Sequence, residues 1–260
     1  MSKPFRILLL AGTFEARQLA EQLSKTGNLK VIASLAGATQ DPKPYPVETR
    51  TGGFGGAEGL ARYIDEQGFD LILNASHPFA RVMCANAANA AMKTRRPLLR
   101  LLRDPWRPAD GDQWLDVADM ADAVAAVPDN ARVLFATGRG SVEQIAAANP
   151  GHRLWGAIRL IDQSNQQFPL QHGEFILARP PFPLEEELDL MRRFKISHLV
   201  TKNAGGCSGR AKLQAARELG VKVIAIRRPR QPDGQVTAAT VQDLMAMVFD
   251  IMSQSEPDKA

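Results

Sequence analysis

The sequence predicts an α/β protein built from two parallel-sheet domains. Three observations carry this. Short aliphatic runs alternate with helical-period segments along almost the whole chain. The runs are apolar throughout rather than alternating, as strands covered on both faces require. A non-periodic stretch, Asp104-Pro-Trp-Arg-Pro-Ala-Asp-Gly111, interrupts the alternation once, and then it starts afresh.

The first run, Ile7 to Ala11, turns at Gly12-Thr13 into a helix with apolar residues at Ala16, Leu19, Ala20 and Leu23. Val31–Leu35 is the next strand, followed by helix Ala57–Gln67, strand Leu71–Ala75, helix Ala80–Lys93 and strand Pro97–Leu102. Beyond the linker come strand Trp114–Val117, helix Met120–Val127, strand Val133–Ala136, helix Val142–Ala148 and strand Leu154–Leu160. Strand Phe175–Ala178, helix Leu184–Phe194, strand His198–Thr201, helix Ala211–Leu219, strand Val223–Ile226 and a helix near Val241–Met252 complete the series, with Ser253–Ala260 expected to fray. The domains are therefore expected at 1–103 and 104–260.

With 260 residues, 45% hydrophobic and 23% charged, the chain can bury proper cores. The formal charge is only +4, and no run of five like charges occurs, so nucleic acid is not an expected partner. No stretch reaches eighteen apolar residues and no signal peptide is recognisable, so neither membrane insertion nor export is expected. Cys84 and Cys207 stand far apart, which excludes a disulfide framework, suggests a reducing compartment and leaves no zinc spacing. The motifs of P-loop kinases, zincins and serine hydrolases are absent.

Ligands of open parallel sheets bind beyond the carboxyl ends of the strands, so the residues after each strand are the candidates. Gly12-Thr13 and Thr137-Gly138-Arg139-Gly140-Ser141 each lead into a helix whose N–H groups could hold a phosphate, although the G-x-G-x-x-G fingerprint is missing. A plain tight turn is the competing reading for both. The glycines of Gly52-Gly-Phe54-Gly-Gly56 suit a closely approached loop. His77-Pro-Phe79 sets an imidazole and a ring at a strand end, where His77 could move a proton or merely cap the next helix. Thr201-Lys202-Asn203 reads as an anion-binding turn. His152, His172 and His198 have no spaced partners and read as surface or packing residues. Glu185-Glu-Glu187 complements a helix N-terminus. A nucleotide-dependent enzyme and a small-molecule binding protein both suit such an anion-friendly cleft.

Taken together and in order, these segments resemble the precorrin-6A reductase family of cobalamin biosynthesis. The likeness lies in Gly12-Thr-Phe-Glu-Ala16, Ser34-Leu-Ala-Gly37, Gly52-Gly-Phe-Gly-Gly56-Ala-Glu-Gly59, Ser76-His-Pro-Phe79-Ala80, Leu98-Leu-Arg-Leu101, Thr137-Gly-Arg139 and Thr201-Lys-Asn203. It departs at Phe14, where the family usually has Thr, and at Ala204, where many relatives have Ser. The resemblance implies a cytoplasmic, NADPH-dependent reductase of the precorrin-6A macrocycle, with two Rossmann-like domains and a cleft between them. A polycarboxylate substrate would account for Arg139, Arg179, Lys202 and Arg227 at strand ends.

On this reading Lys202 and His77 are the candidate proton donors, with bound water as a third possibility. Gly12, Thr13, Ser34, Gly138 and Arg139 are expected at the cofactor. Phe54, Phe79, Arg179, Lys202 and Asn203 are expected at the substrate, and no metal is expected. The second strand ends in Ser34 without an acid, which suits a 2′-phosphate, and Arg139 is the expected cation for it, with Arg179 in reserve. A non-catalytic two-lobed binding protein and a nucleotide-sugar transferase are the alternatives.

Overall fold

The computed structural model describes residues 3–37, 43–149, 151, 153–232 and 235–255; His152 and residues 256–260 lie outside them. The chain divides into two compact units, Met1–Asp104 with Pro229–Ala260, and Pro105–Arg228.

The first domain contains strands β1 (Phe5–Leu10), β2 (Leu29–Leu35), β3 (Glu48–Thr51), β4 (Leu71–Asn74) and β5 (Leu98–Leu101). Its helices are α1 (Phe14–Ser24), α2 (Gly56–Gln67) and α3 (Arg81–Thr94). The second holds β6 (Trp114–Val117), β7 (Arg132–Ala136), β8 (Trp155–Leu160), β9 (His172–Leu177), β10 (His198–Lys202) and β11 (Lys222–Ile226). Its helices are α4 (Met120–Ala125), α5 (Val142–Ala148), α6 (Leu184–Arg193) and α7 (Arg210–Glu218). The chain then returns to the first domain as β12 (Val236–Ala238) and α8 (Val241–Ser255).

Each domain is one six-stranded parallel sheet, ordered β12-β5-β4-β1-β2-β3 in the first and β6-β11-β10-β7-β8-β9 in the second. Numbered from the central strand, both follow the doubly wound order 3-2-1-4-5-6. In the first the sixth strand is β12, which arrives only after the second domain is complete; in the second it is β6, which comes first. The second domain is thus an insertion between strands five and six of the first.

Strand alternation sorts the first domain's core onto two faces. Ile7 and Leu9 of β1, Leu71 and Leu73 of β4 and Leu99 and Leu101 of β5 pack with α1 and α8. Leu8, Leu10, Ile32 and Ile72 pack with α2 and α3. The buried stripe of α8, Val241, Leu244, Met245 and Val248, closes the first face beside Leu19 and Leu23 of α1. In the second domain Leu134, Ala157, Leu199 and Val223 pack with Leu188 and Met191 of α6 and Leu213 and Ala216 of α7.

This corrects the reading of 104–260 as one domain. A three-residue strand carries no periodicity, and the apolar stripe of α8 does not say which sheet it covers. Two strands escape the sequence reading altogether, β3 and β12. The residues of β3, Glu48-Thr-Arg-Thr51, are polar because it is an exposed edge strand. Ser253–Ser255, expected to fray, form the last turn of α8.

The swapped C-terminal segment has a measurable consequence. All three tryptophans, Trp106, Trp114 and Trp155, lie in the second domain. Leu244→Ala, at a fully buried position, should therefore cost about 2–5 kcal/mol in the first domain. In denaturant titration, the circular-dichroism transition should move to lower denaturant while the tryptophan fluorescence midpoint moves much less. A shift confined to tryptophan would return α8 to the second domain.

Candidate functional site

In each sheet the strand order reverses between two central neighbours, β1 and β4 in the first domain and β7 and β10 in the second. At such points the connections leave in opposite directions and ligands gain access to the strand ends. A side chain ties the two strand ends together at both places.

In the first domain the tie is Thr13. Its hydroxyl donates to the Ala75 carbonyl at 2.9 Å and accepts the Ala16 N–H at 3.1 Å, capping α1. Gly12 before it has φ +120°, a left-handed conformation that disfavours any side chain, and no heavy atom lies within 4 Å of where a Cβ would project. Backbone amides at a helix start are thus open to close approach. Glu15, in the first turn, pairs with Arg103, both largely buried. The Gly12 N–H donates to the Tyr45 hydroxyl at 3.4 Å, and the Arg17 guanidinium lies 4.4 Å from the Tyr45 ring centre. Burial pushes the Tyr45 phenol above its ordinary value, so it stays protonated at neutral pH.

One strand further out, Ser34 and Arg50 are register partners on β2 and β3. Arg50 Nη1 donates to Ser34 Oγ at 2.8 Å and to the Gly52 carbonyl at 3.0 Å; Nη2 donates to the Gly53 carbonyl at 3.1 Å. The guanidinium lies 4.0 Å from the centre of the Phe54 ring. Among the described residues, every oxygen it bonds is neutral. Phe54, expected at the substrate, lies against Arg50 and packs on Tyr63 at 5.3 Å.

After β4, the exposed His77 accepts the Phe79 N–H through Nδ1 at 3.2 Å, with its ring 5.7 Å from that of Phe79. This bond sets the ring's tautomer in the neutral state and leaves Nε2 to carry the proton. His77 closes the turn before α3, whose N-cap is Ala80 and carries no side-chain cap.

In the second domain the tie is Lys202, whose ammonium donates to the Thr137 carbonyl at 2.9 Å. Ser141 Oγ donates to the same carbonyl at 3.1 Å. Burial lowers the Lys202 pKa from its ordinary value. Lys202 is therefore neither a solvated lysine nor one pointing only at ligand. Gly138 has φ +78° and nothing within 4 Å of its Cβ direction, and Arg139 opens a single 3₁₀ turn, Arg139–Ser141, leading into α5.

Two expected substrate contacts have other work. Asn203 is buried, and its amide holds Trp106 from both sides: Oδ1 accepts the Trp106 N–H at 2.8 Å and Nδ2 donates to the Trp106 carbonyl at 2.9 Å. Arg228 fixes the same loop from outside, donating to the Asn203 and Ala204 carbonyls at 2.8 Å each. Arg179 pairs with Asp162. These two follow β9 and β8, the third and second strands of their sheet, and so correspond to the Arg50 and Ser34 strand ends of the first domain.

Sequence reasoning missed Arg50, Tyr45, Asp162 and Arg228. A signal for Arg50 existed. It stands two residues before the glycine-rich loop, and reading Glu48–Thr51 as the third strand places it beside the end of the second. His198 is buried in β10, where burial and Lys222 hold its pKa down, while His172 is exposed in β9. Among the described residues no group of three or more His, Cys, Asp or Glu could hold a metal ion, and no helix is long and apolar enough to cross a membrane.

The chain is similar to known proteins over almost its whole length. The family model described as precorrin-6x reductase CbiJ/CobK matches residues 6–248. A precorrin-6A reductase from Rhodococcus erythropolis is 42% identical over 244 residues, covering 94% of this chain and 97% of the relative. One from Rhodobacter capsulatus is 41% identical over 246 residues, covering 94% and 96%. A solved structure titled CobK precorrin-6A reductase superposes with a TM-score of 0.90 at 40% identity, covering 95% of this chain and 97% of that one.

Proposed function

Because the chain belongs to the precorrin-6x reductase family, we propose that it reduces the precorrin-6A macrocycle in cobalamin biosynthesis, with NADPH bound by its first domain as reductant. Family membership disfavours the binding-protein and sugar-transferase readings. The free Cys84 and Cys207 suit a reducing, cytoplasmic setting.

The observation that carries the placement is the contrast between Arg50 and Arg179. In doubly wound folds the end of the second strand meets the adenosine ribose: an acid there favours NAD, and a nearby arginine receives the 2′-phosphate of NADP. The first domain offers neutral Ser34 with Arg50 on it, bonded among the described residues to neutral oxygens. In the second domain the corresponding strand ends carry Asp162, an acid, with its carboxylate on Arg179. The Gly12 turn and the start of α1 would face the pyrophosphate, where open backbone approach and N–H groups suit an anion. Bound NADPH would supply a hydride, leaving the chain's residues to orient the reactants and deliver a proton.

Lys202 is the proposed proton donor, ahead of His77, whose Nδ1 is engaged in the turn. Burial lowers its pKa, which makes the ammonium a stronger acid than an exposed lysine. Arg139 and Phe79, with Lys202, are the proposed contacts for the acidic, conjugated substrate. The pairing of Arg179 with Asp162 weakens its claim, and the Trp106 contacts of Asn203 exclude neither domain's rim from binding but leave that amide little capacity.

Arg50→Met should raise the KM for NADPH roughly ten- to a hundredfold, as expected for a lost charge-assisted contact, and change that for NADH less than about threefold. Equal losses would put Arg50 on a part common to both cofactors. No loss would return the 2′-phosphate to Arg139.

The acid–base assignment has its own signature. A donor must be protonated, so kcat should fall as pH rises through the Lys202 pKa, at a value below the 10.5 of an ordinary lysine. Lys202→Arg keeps the charge and a donor for the Thr137 carbonyl, yet should lose about tenfold or more in kcat and abolish that basic limb. An unchanged profile would make the lysine solely a tie between β7 and β10.

A further inference from the structure

Arg100 lies in β5 of the first domain, fully buried. Its Nη1 meets Cys84 Sγ at 2.7 Å, while Nε and Nη2 have no hydrogen-bond partner. Among the described residues no carboxylate pairs with it. A cysteine sulfur is a weak acceptor, and a buried guanidinium left so poorly satisfied is strongly unfavourable.

The neighbouring strands deepen the imbalance. Asn74, the register partner of Arg100 on β4, is also fully buried; its Oδ1 takes the N–H and hydroxyl of Ser76 at 3.2 and 2.7 Å, and its Nδ2 has no partner. On the other side Thr237 of β12 is in register with Arg100, and Gln235, two residues earlier, has both amide atoms buried without partners. Alternation gives Asn74 and Arg100 the same face as Ile72 and Leu98, which pack with Ala87, Ala90 and Ala91 of α3. Cys84 stands in the first turn of that helix, whose N-terminal partial charge is also positive. Among the described residues, Arg100 and its register partner Asn74 thus leave N–H donors unpartnered beside one cation that no carboxylate neutralises.

We infer that a small monovalent anion of the halide class binds between Arg100 and Asn74, beneath the first turn of α3. Water could accept these N–H groups but would leave the charge uncompensated; a halide does both. The site has no bearing on which domain holds the nucleotide and stands whether or not that reading does. Its occupant would brace the Asn74–Ser76 contacts that precede His77, and so stabilise the first domain.

The test uses the whole protein in sodium bromide against sodium gluconate at fixed ionic strength. Bromide should raise the thermal midpoint by about 3–8 °C as it saturates a ligand site. Arg100→Met, close in length and apolar, should fold without bromide and lose the dependence. Should that variant not fold, crystals of the unaltered protein grown in bromide decide the matter, since an anomalous peak between Arg100 and Asn74 is expected. No midpoint shift, the same shift in Arg100→Met, or crystals without that peak would overturn the inference.

Discussion

The structure depends on one kind of contact, a side chain bridging the strand ends where each parallel sheet reverses its order. Parallel strands hold one another by backbone hydrogen bonds along their length, but beyond the last rung the chain must turn away, and at the reversal it turns away in opposite directions. Thr13 answers this in the first domain with its bond to the Ala75 carbonyl, and Lys202 in the second with its bond to the Thr137 carbonyl. A threonine spends its hydroxyl on the strand end and on the helix cap, leaving neighbouring backbone N–H groups to face outward. A lysine brings a charge, and its desolvation weakens its hold on the proton. The same geometric problem, met with different chemistry, gives one domain a turn suited to phosphate and the other a turn suited to acid catalysis.

Charge separates the two rims further. Arginines occupy corresponding strand ends, Arg50 in one domain and Arg179 in the other. Among the described residues their partners differ: serine and carbonyl oxygens hold the first guanidinium, and the Asp162 carboxylate pairs with the second. A protein with a formal charge of only +4 can in this way concentrate positive charge locally. Arg228 shows a third use, since its charge is turned inward to carbonyls that shape the loop after β10.

Much of this was legible in the sequence because buried parallel strands leave continuous apolar runs, and their ends leave glycines and polar residues. The runs at Ile7, Leu71, Val133 and His198 mark the central strands of both sheets. Edge strands are different. Glu48–Thr51 and Val236–Ala238 are short or polar because solvent lies beside them, so no pattern announces them, and with them went the position of Arg50 and the return of the chain to its first domain. Asn203 was illegible for another reason. An amide beside a cationic strand end reads as a ligand contact, and only the fold shows Trp106, nearly a hundred residues away in sequence, taking both its polar atoms. The family resemblance gave the activity class, but it could not say which strand end a given side chain serves.

The central claim, that the first domain holds the nucleotide, is tested most directly by hydrogen–deuterium exchange with and without NADPH. NADPH on the first domain should slow exchange in the amides of Ala11–Ala16 and Gly52–Gly56, the turn at the start of α1 and the loop held by Arg50. Protection confined to Thr137–Val142 and Asn203–Gly206 would contradict it and place the nucleotide on the second domain.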